Sequence, residues 1–522
     1  MALAVIMSRS LFGMDAPPVR VETHLSSGLP SFTMVGLADA EVRESRERVR
    51  AALLSSGYEF PAGRLTVNLS PADLPKESGR FDLPIALGVL LAWGHNQHMK
   101  VEIELPELTK KNAGDISHLA ALSSLVVAGE LSLTGMLSPI KGAIAIALAV
   151  ARSQPPTCLL LPLVNAQQAA RVPGLQVLGA QSLGEVVEHL TGRQPLQYQI
   201  PLPLIGAPPA VPCLSDVRGQ LMARRALEVA AAGGHSLLFS GTPGVGKTML
   251  AKRLAGILPA LTPAECLEVA SVAAFSGMRD HVWGQRPFRA PHHSASMAAM
   301  LGGGTTPRAG EVTLAHRGVL FLDEFPEFER RVREGLREPL ESLSVTIARA
   351  KLKVEFPADF QLLAAMNPCP CGWYGHSQGR CKCRTEQIAA YQQKLSGPVI
   401  DRIDLFVALT MSDAHWLGLA PGESSAVVRE RVEAVREPQL HRQNTTNARL
   451  PDKDLERCCV MTPAAAKLLE NAIKMQCLSA RAIQRVRRVA RTCADLSGAH
   501  QIDLPHLAEA FQYRPVFSTG MR

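Results

Sequence analysis

No apolar run in this 522-residue chain reaches the 18 or so residues that a helix needs to cross a bilayer; the stretch Leu83 to Trp93 falls well short, so no membrane span is expected. Met1 to Arg9 has neither the long apolar segment nor the cleavage pattern of a secretory signal, and the expected compartment is the cytoplasm. Tandem repeats and a low-complexity tail are missing too. Charge at 20% is too low for long disordered tracts, and hydrophobic content of 47% is ample for packed cores. A disulfide framework is equally unexpected: four of the eleven cysteines cluster, which suits a reducing compartment and one metal site. What the chain does have is a net charge of +8 and a pI near 9.0, a mild fit to a polyanionic partner.

The length suits about three domains. Six prolines between Pro195 and Pro212 mark a linker that neither helix nor strand can cross. We therefore expect a domain at 1–194, a Pro-rich linker at 195–215, an α/β core at 216–410 and an all-helical segment at 411–522. In the last of these, Thr462 to Tyr513 is helical in pattern, with breaks at Cys477-Leu478-Ser479 and Leu496-Ser497-Gly498. Arg218 to Ala232 reads as a helix feeding the core's first strand.

Gly241-Thr242-Pro243-Gly244-Val245-Gly246-Lys247-Thr248 fits the phosphate-binding pattern G-x-x-x-x-G-K-[ST] at every fixed position. The apolar run Ser236 to Ser240 before it reads as a buried parallel strand, and Thr248 to Ala255 after it has helical periodicity. The glycines let backbone N–H groups turn inward around phosphates, and the helix N-terminus adds its dipole. Lys247 is then placed for the β- and γ-phosphates, and the Thr248 hydroxyl for Mg²⁺. The expected ligands are ATP and Mg²⁺.

Gly318-Val319-Leu320-Phe321-Leu322-Asp323-Glu324 is an apolar strand ending in two carboxylates. Alone it would read as a buried strand with a charged exit. After a phosphate loop it reads as the Walker B element, with Asp323 holding Mg²⁺ and Glu324 polarising the attacking water. A third strand, Phe360 to Met366, delivers Asn367, a neutral hydrogen-bonder suited to orienting that water. Cys369-Pro370-Cys371 and Cys381-Lys382-Cys383 lie nine residues apart, and four thiolates in two close pairs can make a tetrahedral zinc site. Free thiols are the first alternative, because C-x-C is tighter than the usual C-x-x-C spacing, and an iron–sulfur cluster stands well behind them.

These motifs resemble the AAA+ superfamily, in the branch of magnesium chelatase and the MCM helicases. Ser27-Gly28-Leu29-Pro30, Val35-Gly36-Leu37-Ala38-Asp39, Asn68 to Asp73, Arg289-Ala290-Pro291-His292-His293, Gly310-Glu311, Asn367 to Gly372, Ser396-Gly397-Pro398 and Ala490 to Leu496 resemble, in order, the bacterial magnesium-chelatase-like proteins of the competence type. That resemblance implies a homo-hexameric ATPase acting on single-stranded and branched DNA. It further implies a branch-migration helicase that assists integration of transforming DNA, with recombination or competence proteins as further partners.

On the same resemblance Arg402, in Asp401-Arg402-Ile403-Asp404, occupies the position of an arginine finger lent to a neighbouring subunit. Arg481, in Leu478-Ser479-Ala480-Arg481, occupies the sensor-2 position facing the γ-phosphate, while Arg485, Arg487, Arg488 and Arg491 read as a solvated or salt-bridged face. Pore insertions of that branch correspond to the long basic segment Phe275 to Gly310, with Arg289, and to Val345 to Lys353, where Arg349 and Lys351 are the expected DNA contacts. An ordinary exposed hairpin is the alternative. The N-terminal part resembles the proteolytic domain of Lon and the related domain of RadA, through Gly129 to Gly135 and Leu159 to Asn165. The Lon nucleophile and lysine positions fall on Arg80 and Ile144, so a non-proteolytic α+β domain is expected. The expected fold is thus a Lon-like α+β domain, an AAA+ P-loop core with a parallel sheet, and a helical lid. A metal-insertion ATPase and an AAA+ remodelling chaperone remain the alternative functions.

Overall fold

The structure is a computed structural model describing residues 2–514 apart from 37–39, 73, 75, 77–78, 97–123, 154–156, 202–210, 279–281, 305–306, 350–351, 377, 396, 411–419 and 477. It divides into two compact units: Met1–Gly206 with Ala270–Trp283, and Ala207–Val269 with Gly284–Arg522.

The first unit is built on a mixed seven-stranded sheet. Its order is Ser31–Val35, Arg64–Ser70, Pro18–Ser26, Ala2–Arg9, Leu125–Val127, Cys158–Pro162, Val177–Ala180. Pro18–Ser26 runs antiparallel to both its neighbours, while the strands from Ala2–Arg9 onward are parallel to one another. Alternate residues of Pro18–Ser26 are buried, as period 2 requires of a sheet covered on one face. The apolar side of that sheet (Ile6, Val19, Val21, Val67) shares a core with Ile85, Ala86 and Val89 of the helix Asp82–Asn96.

The second unit holds a five-stranded, all-parallel sheet in the order Phe288–Arg289, Val319–Leu322, Gln361–Met366, Leu237–Gly241, Leu405–Leu409. The three central strands are near-continuous apolar runs, the signature of strands covered on both faces. In chain order the arrangement is 2-3-4-1-5, so the first strand lies inside the sheet between the fourth and the fifth, and the third lies one strand beyond the fourth. The preceding helix runs Leu221–Gly233 rather than from Arg218, because Gly219 and Gln220 both take positive φ (68° and 49°) and break the helical path. Ser425–Gln443, Pro463–Gln476, Ala480–Leu496 and Leu504–Gln512 are helices, and Val486, Val489, Cys493 and Leu507 join Leu237 and Phe239 in one apolar core. Among the described residues no helix is long and apolar enough to cross a membrane.

The alternation of residues 345–353 is shared by two strands, Ser344–Arg349 and Leu352–Pro357, paired antiparallel with Arg349 opposite Leu352. Val345, Ile347, Val354 and Phe356 are buried on one side of this hairpin. The basic segment 275–310 contributes the edge strand Phe288–Arg289 to the main sheet and a short helix, Met297–Leu301.

Candidate nucleotide-hydrolysis site

Register decides what meets at the sheet's carboxyl edge. Ser240 pairs with Met366 and Leu322 with Ala364, so the residues that leave these strands emerge side by side. Lys247 follows the first strand, Asp323 the third and Asn367 the fourth. Lys247 Nζ donates to the carbonyls of Gly241 (2.6 Å) and Thr242 (3.1 Å) and to Asn367 Oδ1 (3.0 Å). The Thr248 hydroxyl donates to Asp323 Oδ2 at 2.7 Å. Burial lowers the Lys247 pKa, and the nearby carboxylates of Asp323 and Glu324 only partly offset that.

The loop is shaped for an anion. Gly244 and Gly246 take φ of 79° and 96°, and a Cβ added at either would meet nothing within 4 Å. Gly246 caps the helix Lys247–Ile257 without any side-chain hydrogen bond, which leaves its first N–H groups for a phosphate. Gly241 is there for close approach: a Cβ would stand 2.8 Å from the Leu409 carbonyl of the adjoining strand. These residues fit a nucleotide triphosphate, and the Thr248–Asp323 pair offers two oxygens to Mg²⁺.

Glu324 sits at φ 51°, a left-handed conformation that costs a non-glycine residue on the order of 1–3 kcal/mol. Its own N–H donates to Asp323 Oδ1 (2.9 Å), closing the tight turn that presents both carboxylates. Glu324 Oε2 lies 3.0 Å from His293 Nδ1. His293 belongs to the motif Arg289-Ala290-Pro291-His292-His293, but nothing in the sequence marks it as the partner of Glu324; its ring lies 4.1 Å from that of His292.

The remaining predicted residues are distributed as follows. Arg289 makes a two-point ion pair with Glu311 (2.7 and 2.8 Å). Arg402 is buried, ion-paired with Glu341, and donates to the Pro398 carbonyl at 2.6 Å. Two positions on, Asp404 is buried: burial alone would raise its pKa, but Arg485, His235 and the Ser236 N–H (3.0 Å) hold the carboxyl well below the usual range. Arg481 is exposed on the first turn of Ala480–Leu496, whose Ser479 cap accepts from Ala482 N at 3.2 Å. Arg487 and Arg488 pair with Glu456 and Asp452, while Arg491 is buried against Asp495. Arg349 ends its strand, and Lys351 lies outside the described residues. Cys369, Cys371, Cys381 and Cys383 converge, their sulfurs all within 4.8 Å of one another. A cavity of about 690 Å³ at the opposite end of the strands, lined by Gly234, Gly318 and Gln361, is separate from this edge.

Such an edge defines a P-loop ATPase core of the AAA+ type. Family models agree over three spans: "Magnesium chelatase, subunit ChlI" at residues 213–416, "Subunit ChlI of Mg-chelatase" at 21–165, and "Magnesium chelatase, subunit ChlI C-terminal" at 422–514. The chain is 46% identical over 522 residues to the competence protein ComM of Haemophilus influenzae, covering 98% of each, and 44% identical over 521 residues to YifB of Salmonella typhimurium, covering 99% of this chain and 98% of that one. It therefore belongs to the magnesium-chelatase-like AAA+ ATPase family of ComM and YifB. A 101-residue stretch, 19% of the chain, is 34% identical to the DNA replication licensing factor Mcm6 of Drosophila melanogaster.

Proposed function

We propose that this protein is an ATP-driven DNA motor, a homo-hexameric branch-migration helicase that works in the cytoplasm during integration of transforming DNA and homologous recombination. One observation carries the motor reading: the phosphate-loop lysine is hydrogen-bonded to Asn367 and the magnesium-ligand threonine to Asp323, so binding and hydrolysis groups already share one edge. The DNA part is supported by full-length likeness to a protein named for competence and by the stretch similar to a replication licensing factor.

In this reading Lys247 exchanges its carbonyl partners for phosphate oxygens, and Glu324 orients the attacking water once it leaves His293. Thr248 and Asp323 would hold Mg²⁺, which would supply positive charge to the phosphates. Arg402 leaves Glu341 to serve the neighbouring subunit's γ-phosphate, and Arg481 closes from the helical segment, which acts as a lid. Arg349 and Lys351 grip DNA phosphates without regard to sequence, and Arg289 joins them when its Glu311 pair opens. Residues 1–194 act as a Lon-like platform without proteolysis, since Arg80 and Ile144, both buried, stand at the dyad positions.

Purified protein with ATP should hydrolyse it several-fold faster when single-stranded or branched DNA is added. Hydrolysis indifferent to DNA would remove DNA from the reading. The family models favour a second reading, an ATPase driving metal insertion into a tetrapyrrole; stimulation by a tetrapyrrole-binding partner but not by DNA would select it.

A further inference from the structure

The four-cysteine loop has a geometry of its own. Cys369 Sγ lies 3.4 Å from Cys371 Sγ and 3.8 Å from Cys381 Sγ, and Cys371 Sγ lies 3.7 Å from Cys381 Sγ. These separations are far too long for a disulfide of about 2.05 Å. The latter two match the edge, about 3.8 Å, of a tetrahedron of sulfurs around a metal with bonds of about 2.3 Å, and the first is somewhat shorter. The first pair is shaped as a knuckle: Gly372 N donates to the Cys369 carbonyl at 3.0 Å, and Tyr374 N donates to Cys369 Sγ at 3.3 Å. Arg380 stacks over the Trp373 ring at 5.2 Å, tying the second pair to the first. A zinc tetrathiolate carries a net charge of −2, and the second pair is interleaved with cations in Arg380-Cys381-Lys382-Cys383-Arg384.

This loop is also wedged into the nucleotide edge. It begins two residues after Asn367, which accepts from Lys247. Gly372, at φ 82°, touches the phosphate loop: a Cβ there would stand 2.8 Å from both Cγ and Cδ of Pro243 and 3.8 Å from Asn367 Cγ. A loop with little apolar content cannot hold that position by packing alone, whereas a metal can.

We propose that Cys369, Cys371, Cys381 and Cys383 bind one Zn²⁺, and that the resulting knuckle is the strut that fixes Pro243 of the phosphate loop against Asn367, so that metal occupancy sets nucleotide affinity. The metal half stands on the cysteine geometry; the nucleotide half rests on the ATPase reading above. Full-length protein purified without chelator should contain about one zinc per chain, and Co²⁺ exchanged for it should show thiolate charge-transfer absorption. Stripping the metal should weaken binding of a fluorescent ATP analogue by about 10-fold or more, and adding Zn²⁺ should restore it. Cys381→Ser/Cys383→Ser should show the weakened affinity without restoration. If that variant fails to fold, the strip-and-restore arm on the parental protein decides. Lys247→Ala should lose the nucleotide yet keep its zinc, which separates failure of the ATP site from failure of the metal site. Zinc-free protein, or a stripped protein whose affinity is unchanged, overturns the proposal.

Discussion

Two sites, one in each unit, use their charged residues in opposite ways. In the first, Asp82 is wholly buried, with both carboxylate oxygens on Arg48 (2.8 and 3.2 Å) and a further bond from Leu131 N (3.3 Å). Burial raises its pKa, and Arg48 with Ser45 partly opposes that. At the carboxyl edge of the second unit's sheet the charged groups stay open instead: Lys247 and Asp323 are half-buried, Thr248 and Glu324 exposed. Placement explains the difference. Asp82 opens the helix Asp82–Asn96 and meets Arg48 of the helix Ala40–Ser55, so this pair ties two helices together. An all-parallel sheet delivers every carboxyl end to one edge, where Lys247, Asp323, Glu324 and Asn367 accumulate with capacity left for a ligand.

Mutation should break that contrast cleanly. Lys247→Ala should weaken nucleotide binding by on the order of 10²–10³-fold, measured by titration with a fluorescent ATP analogue, because a charge on the phosphates is lost. Glu324→Gln should retain the nucleotide and lower kcat by about 10²-fold, since only water activation is removed; a parental rate would disprove the base assignment. Asp82→Asn should behave in the reverse manner. It should cost roughly 2–3 kcal/mol of stability by urea unfolding, as one partner of a buried pair is lost, and leave nucleotide affinity as it was.

The smallest effect concerns acid. Glu268 is held at a pKa of about 2, chiefly by its hydrogen bond to His316 (3.2 Å) and then by Arg317 (2.6 Å), against the opposing effect of burial. A depressed carboxyl contributes stability above its unfolded pKa and loses it as the pH falls through the folded one. Parental protein should therefore lose more stability than Glu268→Gln between about pH 4.5 and pH 2. Parallel acid curves would show that this cluster is only a solvated surface.

The phosphate loop, the acidic strand end and the strand-borne Asn367 were legible in the sequence because each is a local pattern: an apolar strand followed at once by its functional group. Their meeting followed from strand order. The partners that restrain them were not legible. His293 reaches Glu324, Glu341 reaches Arg402 and Glu311 reaches Arg289 across intervening helices and turns, and no periodicity records a pairing set by tertiary register. The two-residue edge strand Phe288–Arg289 is likewise too short to carry an alternating pattern, so its segment read as a protruding insertion. The hairpin was visible as alternation, but its division into Ser344–Arg349 and Leu352–Pro357 was not, because the alternation in the sequence runs on from one strand to the next.

A branched DNA with one labelled strand, incubated with the protein, ATP and Mg²⁺, tests the central claim most directly. The account predicts ATP-dependent release of the labelled strand by the parental protein. It predicts none by Glu324→Gln, and a loss with Arg349→Ala/Lys351→Ala that accompanies a salt dependence of DNA binding shallower by roughly two units, one for each phosphate contact removed. Parental protein that hydrolyses ATP yet releases no strand, or releases it equally well in the Glu324→Gln variant, would contradict the account.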